Sequence, residues 1–274
     1  MKLFKQVFNF YLDASIHVAL AVVCLYFISL QLLKVSTNYD LVGFLFFGTI
    51  VCYNFMKFGV EAKKYIIVSN PYHRLIQIFS FLAFSSALYF FLQLDNNLWF
   101  SILILILISA LYAIPFLPQT KNLRSLGGMK VYLVALVWMG CTVILPVLDA
   151  NLSLTGEVFL LITQRVLLVL ILLIPFEIRD LKYDEPSLRT LPQRIGILKT
   201  KSIGYVLIVA YFSLQFFKTT ALQAEWISVV MFSLLLFAII KMTKEDQSKF
   251  FASFWVEVLP LVYLMLLVLV KAVY

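Results

Sequence analysis

"FEIRDLKYDEPSLRTLPQRIG", residues 176–196, holds seven charged side chains before its second half is far advanced: Glu177, Arg179, Asp180, Lys182, Asp184, Glu185 and Arg189. Four of the 14 acids of the chain fall within the nine positions from Glu177 to Glu185. Elsewhere the chain avoids charge. Over 274 residues it is 63% hydrophobic and 13% charged, with a mean hydropathy of +0.98. A soluble domain carries about 25% charged and about 45–50% apolar residues. This chain lacks the polar residues to cover a soluble globule, so it reads as an integral membrane protein. The apolar segments are long and unbroken, which excludes the alternating pattern of a membrane β-barrel.

Working outward from residues 176–196, apolar segments long enough to cross a bilayer, about 17–25 residues each, lie at 12–33, 40–57, 74–93, 97–115, 129–148, 157–176, 202–218, 225–241 and 251–270. The expected fold is an all-α, nine-transmembrane-helix bundle forming one domain, 1–274. With the N-terminus in the cytoplasm, only Lys34, Lys218 and Lys271 lie outside, and Arg165 falls within a helix. The remaining Lys and Arg residues, of 22 in all, face the cytoplasm, as the positive-inside rule requires. The C-terminus is then outside, and the expected location is the plasma or inner cell membrane, crossed many times. The net charge of +8 therefore reports orientation and contact with anionic membrane lipid, not nucleic acid. Cys24, Cys52 and Cys141 sit inside apolar runs without a CxxC partner, which reads as packing. "MKLFKQVFNFYLD" sets two lysines before an apolar run but lacks an A-x-A site, so it reads as a retained first helix.

Asp180 and Asp184 are four apart, so in a continuing helix both carboxylates share one face. Such a pair is an oxygen platform for Mg2+, which in turn favours phosphate oxygens. Arg179, Lys182, Arg189 and Arg194 would meet the remaining phosphate charge. A solvated cytoplasmic loop with paired charges has the same composition. It accounts for the basic residues but leaves the acids to charge pairing alone.

Residues 176–196 also resemble the second aspartate motif of the UbiA-type intramembrane prenyltransferases, roughly D-x-R-D-x-x-x-D followed by a basic residue, T-L-P and Gly. Asp180 and Asp184 match the D-x-x-x-D pair; Arg179, Thr190, Leu191, Pro192 and Gly196 match its surroundings. Glu177 stands where Asp is common. "LYAIPFLPQTK" resembles the family's Y-S-x-P-P-x-x-x-K segment through Tyr112, Pro115 and, one residue late, Lys121. The resemblance implies a nine-helix bundle around a lipid-facing cavity. A polyprenyl diphosphate would bind there through Mg2+ held by Asp180, Asp184 and Glu177, with Tyr112 and Lys121 in the catalytic set. A lipophilic acceptor would capture the allyl cation.

The first motif of that family, N-D-x-x-D-x-x-x-D, departs here. Asn54 matches the leading Asn, but the aspartate positions read Phe55, Phe58 and Ala62, and Glu61 is one residue out of register. Two replacements present themselves. Lys57, with Lys63 and Lys64, would bind diphosphate as point charges. Asn9, Asp13 and His17 recur at helical spacing and would supply a ligand or an acid and base; a polar stripe between helices explains them equally. Arg165 either pairs with Glu257 or holds an anionic head group. His73 reads as an interfacial loop residue. Two functions remain: a divergent prenyltransferase, or a non-catalytic relative that binds or presents an isoprenoid.

Overall fold

In a computed structural model, residues 2–59, 70–113 and 128–273 are described, and all their regular structure is helical. The elements are α1 (Lys2–Asp13), α2 (Ile16–Leu33), α3 (Tyr39–Asn54), α4 (Pro71–Gln93), α5 (Asn96–Ala113), α6 (Lys130–Met139), α7 (Leu145–Asp149), α8 (Gly156–Asp180), α9 (Leu191–Ser213), α10 (Gln223–Met242) and α11 (Leu259–Val273). Eight described helical segments are long and apolar enough to cross a membrane, and Asn96–Tyr112 is a shorter apolar one.

Burial ranks the helices. Within α2, 67% of the 18-residue window is buried, against 17% for α4. A helix apolar all round belongs at the centre, and α2 packs against both α3 and α11. On one side of it Leu25 and Ile28 meet Leu168, Phe232 and Tyr263 of α8, α10 and α11. The Phe232 and Tyr263 rings stack at 4.3 Å. On the other side Tyr26 and Leu30 meet Leu41, Leu45, Leu98 and Ile102 of α3 and α5. Phe81, Leu88, Tyr89, Phe100 and Leu107 face outward, exposed, as side chains against lipid do.

Three departures from the expected segments have local causes. The first segment is two helices: Ser15 adopts a left-handed conformation (φ 61°), and the chain turns between α1 and α2. α4 begins at Pro71 because Asn70 caps it, accepting from the Tyr72 N–H at 2.9 Å. This puts His73 in a first helical turn and not in a loop. α9 begins well before the expected 202. The T-L-P-Q run opens it, with the Gln193 amide oxygen accepting from the Thr190 N–H at 2.9 Å and Pro192 in the first turn. The polar first turns of α9 had hidden it from hydropathy.

The helix kinks at Gly196, where φ is 80° and ψ is 163°. That region is open essentially only to glycine. Replacing Gly196 by Ala is expected to lower unfolding stability by about 1–3 kcal/mol. Thermal unfolding of the purified protein in detergent checks this; an unchanged midpoint would show that the kink carries no strain.

Candidate functional site

One end of the bundle gathers the charge. The C-terminal turns of α8, the N-terminal turns of α6 and α9, the end of α3 and the start of the last membrane segment all meet there. Asp184 remains one turn beyond Asp180, its N–H bonded to the Asp180 carbonyl at 2.8 Å. The two side chains nonetheless part. Arg179 Nε donates to Asp180 Oδ1 at 2.7 Å. Lys130, first residue of α6, reaches across to place its Nζ 2.7 Å from Glu177 Oε1 and 3.2 Å from Asp184 Oδ2. These three side chains are only 8–13% exposed. The loop that follows is fastened by Gln193, whose Nε2 donates to the carbonyls of Asp184 and Glu185, each at 3.2 Å.

Every carboxylate proposed as a metal ligand is thus already matched by a cation. Among the described residues no group of three or more His, Cys, Asp or Glu side chains is arranged to hold a metal ion. The donor set fits an ammonium between Glu177 and Asp184, and it does not fit Mg2+.

A second charged group lies beside this clasp. The charges of Asp13, Glu257 and Arg179 act on Lys57, whose Nζ donates to the Leu12 carbonyl at 3.2 Å. Lys57 and Arg179 are the cations acting on Glu257. Lys57 keeps exposed surface and Glu257 is half-buried, although both sit among helix ends. Both belong to distorted turns: Lys57 to the π-turn Phe55–Gly59, and Glu257 directly after the π-turn Phe251–Val256. Such wide turns recur at functional sites.

Between α3, α4, α5 and α6 lies an apolar cavity of about 450 Å³. Phe84, Leu88, Leu103 and Ile106 line it and are themselves exposed, so it opens sideways between α4 and α5. Tyr53 and Trp138 also line it, and Trp138 Nε1 donates to the Tyr53 hydroxyl at 3.0 Å. Tyr53 lies about one turn before Lys57 at the end of α3, so it stands where the cavity meets the charged end.

Other expected site residues lie elsewhere. Asn54 is buried and turned to α4, where its Nδ2 donates to Ser80 Oγ at 2.9 Å. Among the described residues its Oδ1 has no partner. Lys182 pairs with Asp246 on the surface, and that bond holds its ammonium above the ordinary lysine value. Arg189 is exposed, at a left-handed turn (φ 45°). Arg165 lies fifteen residues before Asp180 in α8, roughly 22 Å along the axis, and bonds to the Leu25 carbonyl at 3.0 Å and Ser29 Oγ at 2.9 Å. It is neither the partner of Glu257 nor a head-group ligand at this end. Lys121, Pro115, Glu61, Ala62, Lys63 and Lys64 fall outside the described residues.

The Asn9, Asp13 and His17 face does not exist as one surface, because the chain turns at Ser15 between α1 and α2. Asp13 accepts from the Tyr72 hydroxyl at 2.8 Å. His17 stacks on Phe254 at 5.0 Å. Its Nδ1 accepts from the Tyr11 hydroxyl at 2.6 Å while its Nε2–H donates to the Phe254 carbonyl at 3.0 Å. Burial, then the charge of Glu257, hold the Tyr11 hydroxyl above its usual value, so it stays protonated and donates. His17 is a latch between α1, α2 and the last membrane segment. Lys130 and Glu257 were missed as site residues, one counted among loop lysines, the other assigned to Arg165. No local pattern marks Lys130, but a carboxylate in an apolar segment is itself a signal of function, and Glu257 carried it.

No family model and no curated protein matches this sequence. Solved structures do. A UbiA homologue from Archaeoglobus fulgidus bound to Cd2+ superposes with a TM-score of 0.61 at 12% identity, over 95% of this chain and 99% of that one. The same homologue bound to DMAPP and Mg2+ gives a TM-score of 0.52 at 13% identity over 97% and 95%. A digeranylgeranylglyceryl phosphate synthase gives 0.56 at 13% identity over 98% of both chains. This chain has the UbiA fold. The matches cover 95–98% of the chain.

The latch is directly testable. Tyr11→Phe leaves the buried Nδ1 of His17 without its donor, which costs about 1–3 kcal/mol. Thermal unfolding in detergent is expected to report that loss, and no change would remove the latch from the account.

Proposed function

We propose that this chain is a divergent UbiA-like membrane prenyltransferase, a single domain crossing the cell membrane nine times with its charged end in the cytoplasm and its C-terminus outside. It would move a prenyl group from a polyprenyl diphosphate to a lipophilic acceptor, an aromatic one by preference. The observation that carries this reading is the junction at Tyr53, where a lipid-facing apolar cavity meets a cluster of cations and carboxylates. An amphiphile with a long apolar tail and a charged head needs both.

In this reading the tail occupies the cavity and the diphosphate lies toward Lys57, Lys130 and Arg179. Positive groups aimed at a departing anion stabilise the transition state. The bond from the prenyl carbon to the diphosphate oxygen breaks, and the diphosphate keeps the electron pair. The aromatic faces of Tyr53, Trp138 and Tyr112 would stabilise the allylic cation in a site kept dry by apolar walls. The acceptor then forms its bond to that carbon and gives its proton to a carboxylate, for which Glu257 is placed. Asp180 positions Arg179 through their 2.7 Å bond.

One set of observations favours the non-catalytic relative. Glu177, Asp180 and Asp184 are all engaged by Lys130 or Arg179, and the first motif has lost its carboxylates. A protein that only binds or presents an isoprenoid needs no more than this.

The assay that separates the two measures diphosphate release by purified protein from geranyl to polyprenyl diphosphates, with a panel of aromatic acceptors. Release is the expected outcome, and Asp180→Ala is expected to lower it roughly tenfold to a hundredfold by misplacing Arg179. Binding without any release would overturn the enzyme reading and leave the isoprenoid-binding one.

A further inference from the structure

Lys130 is one of the basic residues that positive-inside counting places near the cytoplasm, and nothing local in the sequence gives it a task. Its setting is specific. The ammonium lies 2.7 Å from one carboxylate and 3.2 Å from another; the first comes from the last turn of α8 and the second from the turn just beyond its end. Two carboxylates sharing one low-dielectric site cannot both stay ionised without a cation between them. In a Mg2+ site that cation is the metal. Here it is a side chain.

We infer that Lys130 is a tethered cation filling the position between Glu177 and Asp184 that a divalent ion would take, so that this end of the bundle engages a phosphate-bearing lipid without a divalent metal. The first clause rests on geometry alone; the second rests also on the prenyl-ligand reading above. Three features converge. The ammonium lies 2.7 Å from Glu177 and 3.2 Å from Asp184, occupying the position between them that an ion at about 2.0–2.1 Å from each oxygen, the usual Mg2+–oxygen contact, would need. A covalently attached cation is present at high effective concentration, and an ion from solution must displace it. The end of α3, where the family resemblance implies further carboxylates, reads Asn54, Phe55, Lys57 and Phe58 instead; Asn54 is turned to Ser80 of α4, and the charged side chain there is the Lys57 ammonium. An ammonium also has three donors. Two meet Glu177 and Asp184, which leaves one for a phosphate oxygen.

The test uses the full chain purified in detergent and Mn2+ as the probe, followed by electron paramagnetic resonance. Wild type is expected to show no saturable Mn2+ binding that depends on Glu177 and Asp184. Lys130→Ala is expected to bind Mn2+ at least about tenfold more tightly, since it bares a carboxylate pair suited to a hard cation. Adding Asp184→Asn to that variant is expected to abolish the gain. Saturable wild-type binding that Asp184→Asn removes would overturn the inference. So would a Lys130→Ala protein of unchanged elution and helical content that gains no Mn2+ binding. If that variant does not fold, the wild-type and Asp184→Asn measurements still decide. In a parallel arm, geranyl diphosphate is expected to bind equally well in EDTA and in Mg2+, and EDTA-sensitive binding would overturn the metal-independent clause. Failure of geranyl diphosphate to bind under either condition would count against the proposed function, while the Mn2+ result would still decide the role of Lys130.

Discussion

Charge inside a bilayer must be matched, and at the end of this bundle a single ammonium matches one carboxylate from another helix and one from the turn just after it. Lys130 ties the first turn of α6 to the last turns of α8, and the Gln193 bonds fasten the loop that follows. The rest of the charged end is arranged around that tie. Removing either partner of such a pair leaves a poorly solvated charge, which costs far more than the pair itself contributes. The position of α6 beside α8 is therefore fixed electrostatically at one end and by apolar packing along its length. Because α6 also forms a wall of the cavity, the same contact helps set the width of the cavity.

Helix ends elsewhere use the same device on a smaller scale. Lys201 donates to the carbonyls of Lys241 and Thr243 at 2.8 and 2.9 Å, closing the C-terminus of α10. Lys271 does the same for α2, donating to the Gln31 carbonyl at 3.0 Å. Carbonyls at a helix C-terminus carry partial negative charge and lack intrahelical donors. Lysines that the sequence offers only as loop charges are thus also caps.

Much of this was legible beforehand. Among the described residues each expected apolar segment is helical apart from the break at Ser15, because runs of Leu, Ile, Val and Phe leave the backbone no partner in lipid except itself. The T-L-P and Gly positions of residues 176–196 were legible as a motif, and the structure gives them physical meanings: Thr190 and Pro192 open α9 and Gly196 turns it. What was not legible depends on contacts between distant residues or on rare backbone states. Lys130 is 54 residues from Asp184, and no spacing rule connects them. Ser15 in a left-handed conformation is unfavourable for a residue with a side chain, so the sequence offers no reason to break the first segment there. The face of Asn9, Asp13 and His17 was drawn on a continuous helix that the chain does not form.

Lys57 and Glu257 share one more property. Each belongs to or adjoins a π-turn, which fits one extra residue into a helical turn. An α-helix advances about 100° per residue, so losing that one residue would swing the adjoining side chain about a quarter of a circle away from its partners. The meeting of these two charges thus depends on chain length as much as on residue identity. A single-residue deletion in Phe251–Val256, conserving every charged side chain, would rephase the segment before Glu257 against α2 and disengage the Phe254 carbonyl from His17. The site is encoded partly as a count of residues, a kind of information that comparing residue types position by position passes over.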